Sequence, residues 1–268
     1  MRNRSTRPDR RRAFFASTAW LIGPMLPMNS VLARVLIDDD PQVDSLAARL
    51  TDGKSSDRER AVALHDYVRD EIRFGFTPHF YAMTAADVLS ARIGYAHTKA
   101  TLFIALLRAV GIEARQQFVD LEATIWHGLL DLHTPFVDHS YTEVRLGGAW
   151  IGTDSYVVDQ RLFRAAQAAL RARRAARGYG VVATARPDWD GRTPNFVQFC
   201  ANDPETTRHR WGAFPDVAAF YEATLDAWNR RDDVARVVYP LAALTANQAA
   251  EALRSGGPSA ARSRLRTA

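Results

Sequence analysis

Three positions in this chain have the order, and two of them the residue types, from which cysteine-dependent acyl chemistry is assembled. The first opens an apolar helix after a glycine, and a histidine and an aspartate follow. It is Ala96, in Gly94-Tyr-Ala-His-Thr-Lys-Ala; the second is His139, before Ser-Tyr-Thr-Glu-Val; the third is Asp154, closing Ile-Gly-Thr-Asp. At such a site a helix dipole and an imidazolium lower a thiol pKa, the thiolate attacks a carbonyl, and backbone N–H groups hold the oxyanion. Here the first position carries a methyl group, which cannot attack. His97 follows it but leaves the helix about 100° away, and Thr98 is a poor nucleophile with no base aimed at it. The single cysteine, Cys200, ends Phe-Val-Gln-Phe-Cys. Its alternating apolar neighbours predict a small buried hydrophobe.

The elements that must position these residues are legible. Leu102, Phe103, Leu106, Leu107 and Val110 surround a helix over about 96–110, and Ala100, Ala105 and Ala109 leave room for close neighbours. A helix apolar nearly all round belongs inside a domain. Gly111 supplies its end cap, and residues 112–119 read as a strand. Residues 140–146 and 149–153 are two strands joined by Gly147-Gly148, a two-residue hairpin turn. With that turn Leu146 faces Ala149 and Tyr141 faces Asp154. His139, two residues from Tyr141, is then the diagonal neighbour of Asp154 on the same face. The spacing therefore lets the aspartate orient the histidine, unless the register slips and leaves two unrelated polar strand ends.

Elsewhere, residues 38–41 read as an exposed start. Ser56-Asp-Arg-Glu and Thr84-Ala-Ala-Asp are capping boxes opening helices. His65 on the first of these helices reads as a partly buried residue, with no second ligand at matching spacing. The aromatic stretch 74–81 is an irregular loop placed to lie over something. Residues 120–138 read as a loop or short helix, and their His127, Asp131 and His133, even with His139, match no zinc pattern, so no metal and no cofactor is expected. Helices are expected over 162–177 and 216–228, with a last one capped at Thr245.

The formal charge is +5, hydrophobic residues are 47% and charged residues 24% of 268, as in an ordinary globular protein. Residues 1–33 hold six arginines against Asp9, so the remainder is formally neutral. That distribution excludes a basic groove for nucleic acid. Asp9-Arg-Arg-Arg-Ala-Phe-Phe resembles a twin-arginine export signal, followed by an apolar stretch to Met28 broken by Gly23, Pro24 and Pro27. That stretch is too short to span a bilayer. Val31-Leu-Ala33 supplies a cleavage site, so the expected mature protein starts near Arg34, is periplasmic or otherwise exported, and has no transmembrane segment. A cytoplasmic protein with an arginine-rich start is the alternative. The expected organisation is a leader over 1–33, a core over 34–160, a helical extension over 161–256 and a disordered tail over 257–268.

Gly94-x-Ala96-x-x-Lys99-Ala-x-Leu-Phe-x-Ala-Leu-Leu-Arg108-Ala-x-Gly-Ile-x-Ala-Arg115, then His139-x-Tyr-x-Glu-Val, then Trp150-x-x-x-Asp154 resemble the transglutaminase-like superfamily, of papain-type fold, over about residues 57–160. The resemblance implies an α+β fold, a central helix packed on an antiparallel sheet with additional C-terminal helices. It makes His139 the general base, Asp154 its orienting acid and Ala96 the occupant of the nucleophile position. Tyr95, Trp126 and Tyr141 are the candidate ligand contacts. Two functions follow. One is a non-catalytic domain binding a peptide, an amide, a protein or a cell-envelope polymer. The other is an amide-cleaving or acyl-transferring cysteine enzyme whose nucleophile is substituted in this copy. A purely structural role for His139 and Asp154 stands behind both.

Overall fold

In a computed structural model of the chain, the structure describes residues 37, 39–77, 79, 82–132, 134–199, 207–228 and 232–256. The leader-like residues 1–33, His133, Cys200 and residues 257–268 lie outside them. The first helix, α1 (Pro41–Thr51), begins at the end of the expected exposed start and covers a stretch for which no element is expected from the sequence. The Asp40 carboxylate accepts the N–H groups of Gln42 and Val43, proline occupies the first turn, and Val43, Leu46 and Ala47 are buried. Asp-Pro thus initiates a helix whose apolar face is only three residues wide. α2 (Asp57–Glu71) is N-capped by Ser56. A two-residue strand, β1 (Arg73–Phe74), leads to the aromatic stretch, and α3 (Ala85–Ala91) opens with a full Thr84–Asp87 capping box. β2 (Ile93–Gly94) pairs in parallel with β1 and delivers the chain to α4 (Ala96–Ala109).

Every residue of α4 from Ala96 to Leu107 is buried, because α1, α2 and α3 pack on one side of it and the sheet on the other. Gly111 takes φ 77° and turns the chain into β3 (Ala114–Glu122). A short 3-10 turn (Ala123–Trp126) follows, then β4 (Phe136–Leu146) and β5 (Ala149–Thr153). The expected loop over 120–138 is therefore much shorter. β3 and β4 pair continuously from Ala114↔Val144 to Glu122↔Phe136, and that ladder draws both strands out. His139 consequently lies inside β4 rather than opening it.

Beyond Asp159, α5 (Gln160–Arg173) ends earlier than its alanine and arginine content predicts. Arg174 adopts a left-handed conformation, φ 54°, and turns its N–H back on the Leu170 and Arg171 carbonyls. A small hairpin follows, β6 (Arg177–Gly178) with β7 (Val181–Val182). The region expected to be a helical extension also supplies a strand, β8 (Thr207–Phe214), which pairs antiparallel with β3 and gives the main sheet the order β5-β4-β3-β8. Its half-exposed, arginine-interrupted sequence carries no clean alternation, which hid it. α6 (Val217–Trp228) and α7 (Asp232–Arg254) complete the described chain. Thr245 does not cap α7; it lies inside the helix and donates its hydroxyl to the Leu241 carbonyl. Among the described residues no helix is long and apolar enough to cross a membrane.

Candidate active site

The glycine pair sets the hairpin register, and the observed partners are Leu146↔Ala149, Val144↔Ile151 and Thr142↔Thr153. One step beyond Thr153 stands Asp154, whose Oδ2 accepts the His139 Nε2–H at 3.0 Å, both side chains being buried. With Nε2 carrying the proton, the lone pair of the ring lies on Nδ1. Nδ1 makes no hydrogen bond among the described residues. Asp154 is held on its other side by backbone: Val197 N–H donates to Oδ1 at 2.5 Å, and Gln198 and Phe199 N–H donate to Oδ2 at 3.2 and 3.0 Å. The segment reaches that position through Asn195, whose N–H donates to the Gly152 carbonyl and whose own carbonyl accepts the Asp154 N–H. Four donors thus match a buried carboxylate as an acceptor. The three backbone donors were invisible in the sequence, since any residue type supplies an N–H.

The turn bearing Asp154 has a second fastening. Ser155 Oγ bonds Thr153 Oγ1 at 2.9 Å and His65 Nε2 at 2.8 Å, while His65 Nδ1 bonds Asp66 Oδ1 at 2.9 Å. His65 is fully rather than partly buried, packed against Phe103, Tyr156 and Trp189. Burial pushes the His65 imidazole down, against the raising effect of Asp66. Although the residues are those of a serine triad, the Ser155 hydroxyl is sealed in the core and serves to fix the end of β5.

Ala96 begins α4 behind Tyr95, which stands at the N-cap in extended conformation without a side-chain cap hydrogen bond. Gly94 is required by close approach: a Cβ there would lie 2.7 Å from Thr98 Oγ1 and 2.9 Å from Lys99 Cγ. The next helical residue, His97, has a role that sequence reasoning missed. Its Nδ1 meets Ser140 Oγ at 2.8 Å and its Nε2 meets Asp138 Oδ2 at 2.5 Å. Tyr221 Oη, from α6, donates to the same Asp138 oxygen at 2.5 Å, and Gln116 Nε2 donates to Ser140 Oγ at 2.8 Å. Asp138 and Ser140 flank His139 in β4, so His97 fastens the start of α4 to both strand neighbours of His139. Burial would raise the Asp138 carboxyl, but hydrogen bonding and charge from His97, with the Tyr221 hydroxyl, outweigh it and hold the carboxyl below its ordinary range. One turn along, Lys99 is fully buried and donates to the Ile72 carbonyl at 2.6 Å. Burial brings its ammonium down to about 7, against the attraction of Asp159.

The three aromatic candidates separate. Tyr95 and Trp126 both pack on Phe76, at ring distances of 5.1 and 5.4 Å, and Trp126 also stacks on Phe74. Tyr141 is elsewhere, stacked on Phe199 at 5.3 Å with Phe196 edge-on to it. Phe196 and Phe199 line a shallow depression of about 280 Å³ with Val182, Thr184, Arg186 and Asn195. None of Ala96, His139 and Asp154 lines it. Among the described residues no three histidine, cysteine, aspartate or glutamate side chains gather to hold a metal.

Residues 44–155, which run from within α1 through β5 and include all three chemical positions, match the model of the Transglutaminase-like superfamily. Among solved structures the chain is similar to a candidate cysteine protease from Cytophaga hutchinsonii, at 22% identity over 47% of this chain and 40% of that one, with a TM-score of 0.37. It is also similar to a candidate protease from Parabacteroides distasonis, at 18% identity over 47% of this chain and 24% of that one, with a TM-score of 0.33. The chain thus spans less than half the length of either protein. No curated protein matches it.

Proposed function

We propose that residues 44–155, a transglutaminase-like superfamily domain, form a non-catalytic binding domain for a peptide, an amide or an envelope polymer. The observation that carries this reading is an oriented His139–Asp154 pair, secured by three backbone donors, in a chain whose helix start has a methyl group at Ala96. The pair leaves Nδ1 of His139 to accept a hydrogen bond, and the start of α4 supplies backbone N–H groups. An amide brings the complementary donor and acceptor. Nothing at Ala96 can form a covalent bond to it, so the ligand is held and not turned over. Tyr95 and Trp126 are the proposed apolar contacts on one side and Tyr141 on another.

Two measurements test this. The chain as it stands, given a labelled acyl donor and an amine acceptor, is expected to transfer nothing; transfer above the solution rate overturns the non-catalytic reading. In Ala96→Cys the alkylation rate is followed against pH. A midpoint below the ordinary thiol value of about 8.5 is expected if the surroundings of the helix start are preorganised, and an ordinary midpoint overturns that. Acyl transfer regained by Ala96→Cys supports the second reading, an amide-cleaving or acyl-transferring enzyme whose nucleophile is substituted here. We place the protein outside the cytoplasm because of its arginine-pair leader, apolar stretch and Ala33 cleavage site. Recovery of envelope protein with residues 1–33 intact sinks that placement.

A further inference from the structure

The aromatic segment 74–76 is held by side chains that lie outside the matched domain. Phe76 donates its N–H to Asn247 Oδ1 at 2.8 Å and accepts Asn247 Nδ2–H on its carbonyl at 2.8 Å. One α7 amide therefore stands in for a neighbouring β-strand. Phe74 is treated alike: its N–H donates to Asp159 Oδ2 at 3.1 Å, and its carbonyl accepts Arg254 Nη2–H at 2.7 Å. Arg254 and Asp159 are themselves a buried pair at 2.5 Å. Gly75, between them, donates to the Gly94 carbonyl at 2.9 Å, just ahead of Tyr95 and Ala96. A Cβ on Gly75 would stand 2.8 Å from Asn247 Oδ1 and 2.7 Å from Ile93 Cδ1, so the glycine is what admits the α7 amide. The consequence falls on the Phe76 ring, which packs on both Tyr95 and Trp126.

We infer that Asn247 is a positioning residue for specificity: through the backbone of Phe76 it sets the aromatic side of the site beside Ala96. This rests on the reading of the start of α4 as a ligand site, and it makes α7 part of that site. The two hydrogen bonds fix both backbone polar groups of Phe76, and with them the Cα from which its ring projects. An aromatic or planar portion of a ligand is what such a wall recognises, by stacking or edge contact.

The test uses the full chain carrying Ala96→Cys, alkylated either by iodoacetamide or by its N-benzyl derivative. Asn247→Ala is expected to lower the benzyl-to-parent rate ratio by about tenfold, the equivalent of roughly 1.4 kcal/mol, with the iodoacetamide rate within about twofold. Asn247→Asp keeps the acceptor and loses the donor, so a smaller fall is expected. Tryptophan fluorescence is compared with and without Trp126→Phe, and the change caused by Asn247→Ala is expected only where Trp126 is present. A reactive thiol with an unchanged ratio overturns the role of Asn247 alone, as does a fluorescence change that persists without Trp126. Equal loss of both rates together with a lower Tm shows a structural role and overturns it as well. A thiol no more reactive than free cysteine before Asn247 is changed overturns the ligand-site reading, and the role of Asn247 with it.

Discussion

Adjacent residues of β4 each belong to an imidazole–carboxylate pair: His139 takes Asp154 as its partner, and Asp138 takes His97. Side chains alternate along the strand, and Asp138 and Ser140, on either side of His139, are the ones bonded to His97 of α4. In the His97 pair both ring nitrogens are bonded and the carboxylate also takes Tyr221. In the His139 pair one nitrogen is bonded, and the carboxylate rests on backbone instead. The same two functional groups therefore serve different ends. Saturation makes the first a fastener between α4, β4 and α6, and the unused nitrogen of the second is what the proposed ligand role depends on.

The largest effect expected in breaking this contrast comes from Asp154→Ala. It orphans three buried N–H groups and His139 together, and urea unfolding should show a loss of about 3–5 kcal/mol. A loss under about 1 kcal/mol would mean that the carboxylate is not what holds residues 197–199.

Lys99 sharpens the contrast, since it is buried on the same helix with no carboxylate bonded to it. Its folded pKa of about 7 lies below the unfolded value of about 10.4. Between those values the unfolded chain binds more protons, so stability falls as pH falls and levels off below about 7. Lys99→Met should remove that slope and gain about 2 kcal/mol at pH 7, after the bond to Ile72 is lost. Parallel pH profiles for the two proteins would refute this.

For Asp138 the sign is reversed. Its folded pKa is lowered, so its contribution is present above the unfolded value of about 3.9 and disappears as pH falls through the folded value. Asp138→Asn should cost about 1–2 kcal/mol at neutral pH and flatten this part of the acid limb. An acid limb identical to that of the unaltered chain would count against the His97 fastener.

The smallest stability change is expected at His139. In His139→Ala the Asp154 carboxylate keeps its backbone donors, so the loss should be about 1 kcal/mol, while the Ala96→Cys thiol midpoint should move up toward that of a free thiol. A large loss of stability with an unmoved thiol would make His139 a fastener like His97.

Much of this was readable in advance because it depends on local chemistry. Gly147-Gly148 selects a two-residue turn, and the turn dictates which residues oppose; His139 and Asp154 meet for that reason. Thr84-Ala-Ala-Asp and Gly111 set the limits of helices by the same kind of local rule. The His97 contacts were hidden because they join residues 97, 138 and 221, and the separation leaves no periodic trace. Nor could Asn247 be picked out within an alanine-rich helix, since its value lies in facing the one glycine that lets it near the Phe76 backbone.

The sequence by itself determined the central helix, the hairpin register, the pairing of a histidine with an aspartate and the absence of a thiol at Ala96. Those are set by side-chain periodicity and turn geometry, which act over a few residues. Only the tertiary structure decided that His97 takes Asp138, which backbone donors hold Asp154, and that α6 and α7 reach back to β4 and to Phe76. Such contacts form only when distant backbone is brought to within hydrogen-bond distance, and an N–H or a C=O carries no mark in the sequence of the partner it will find.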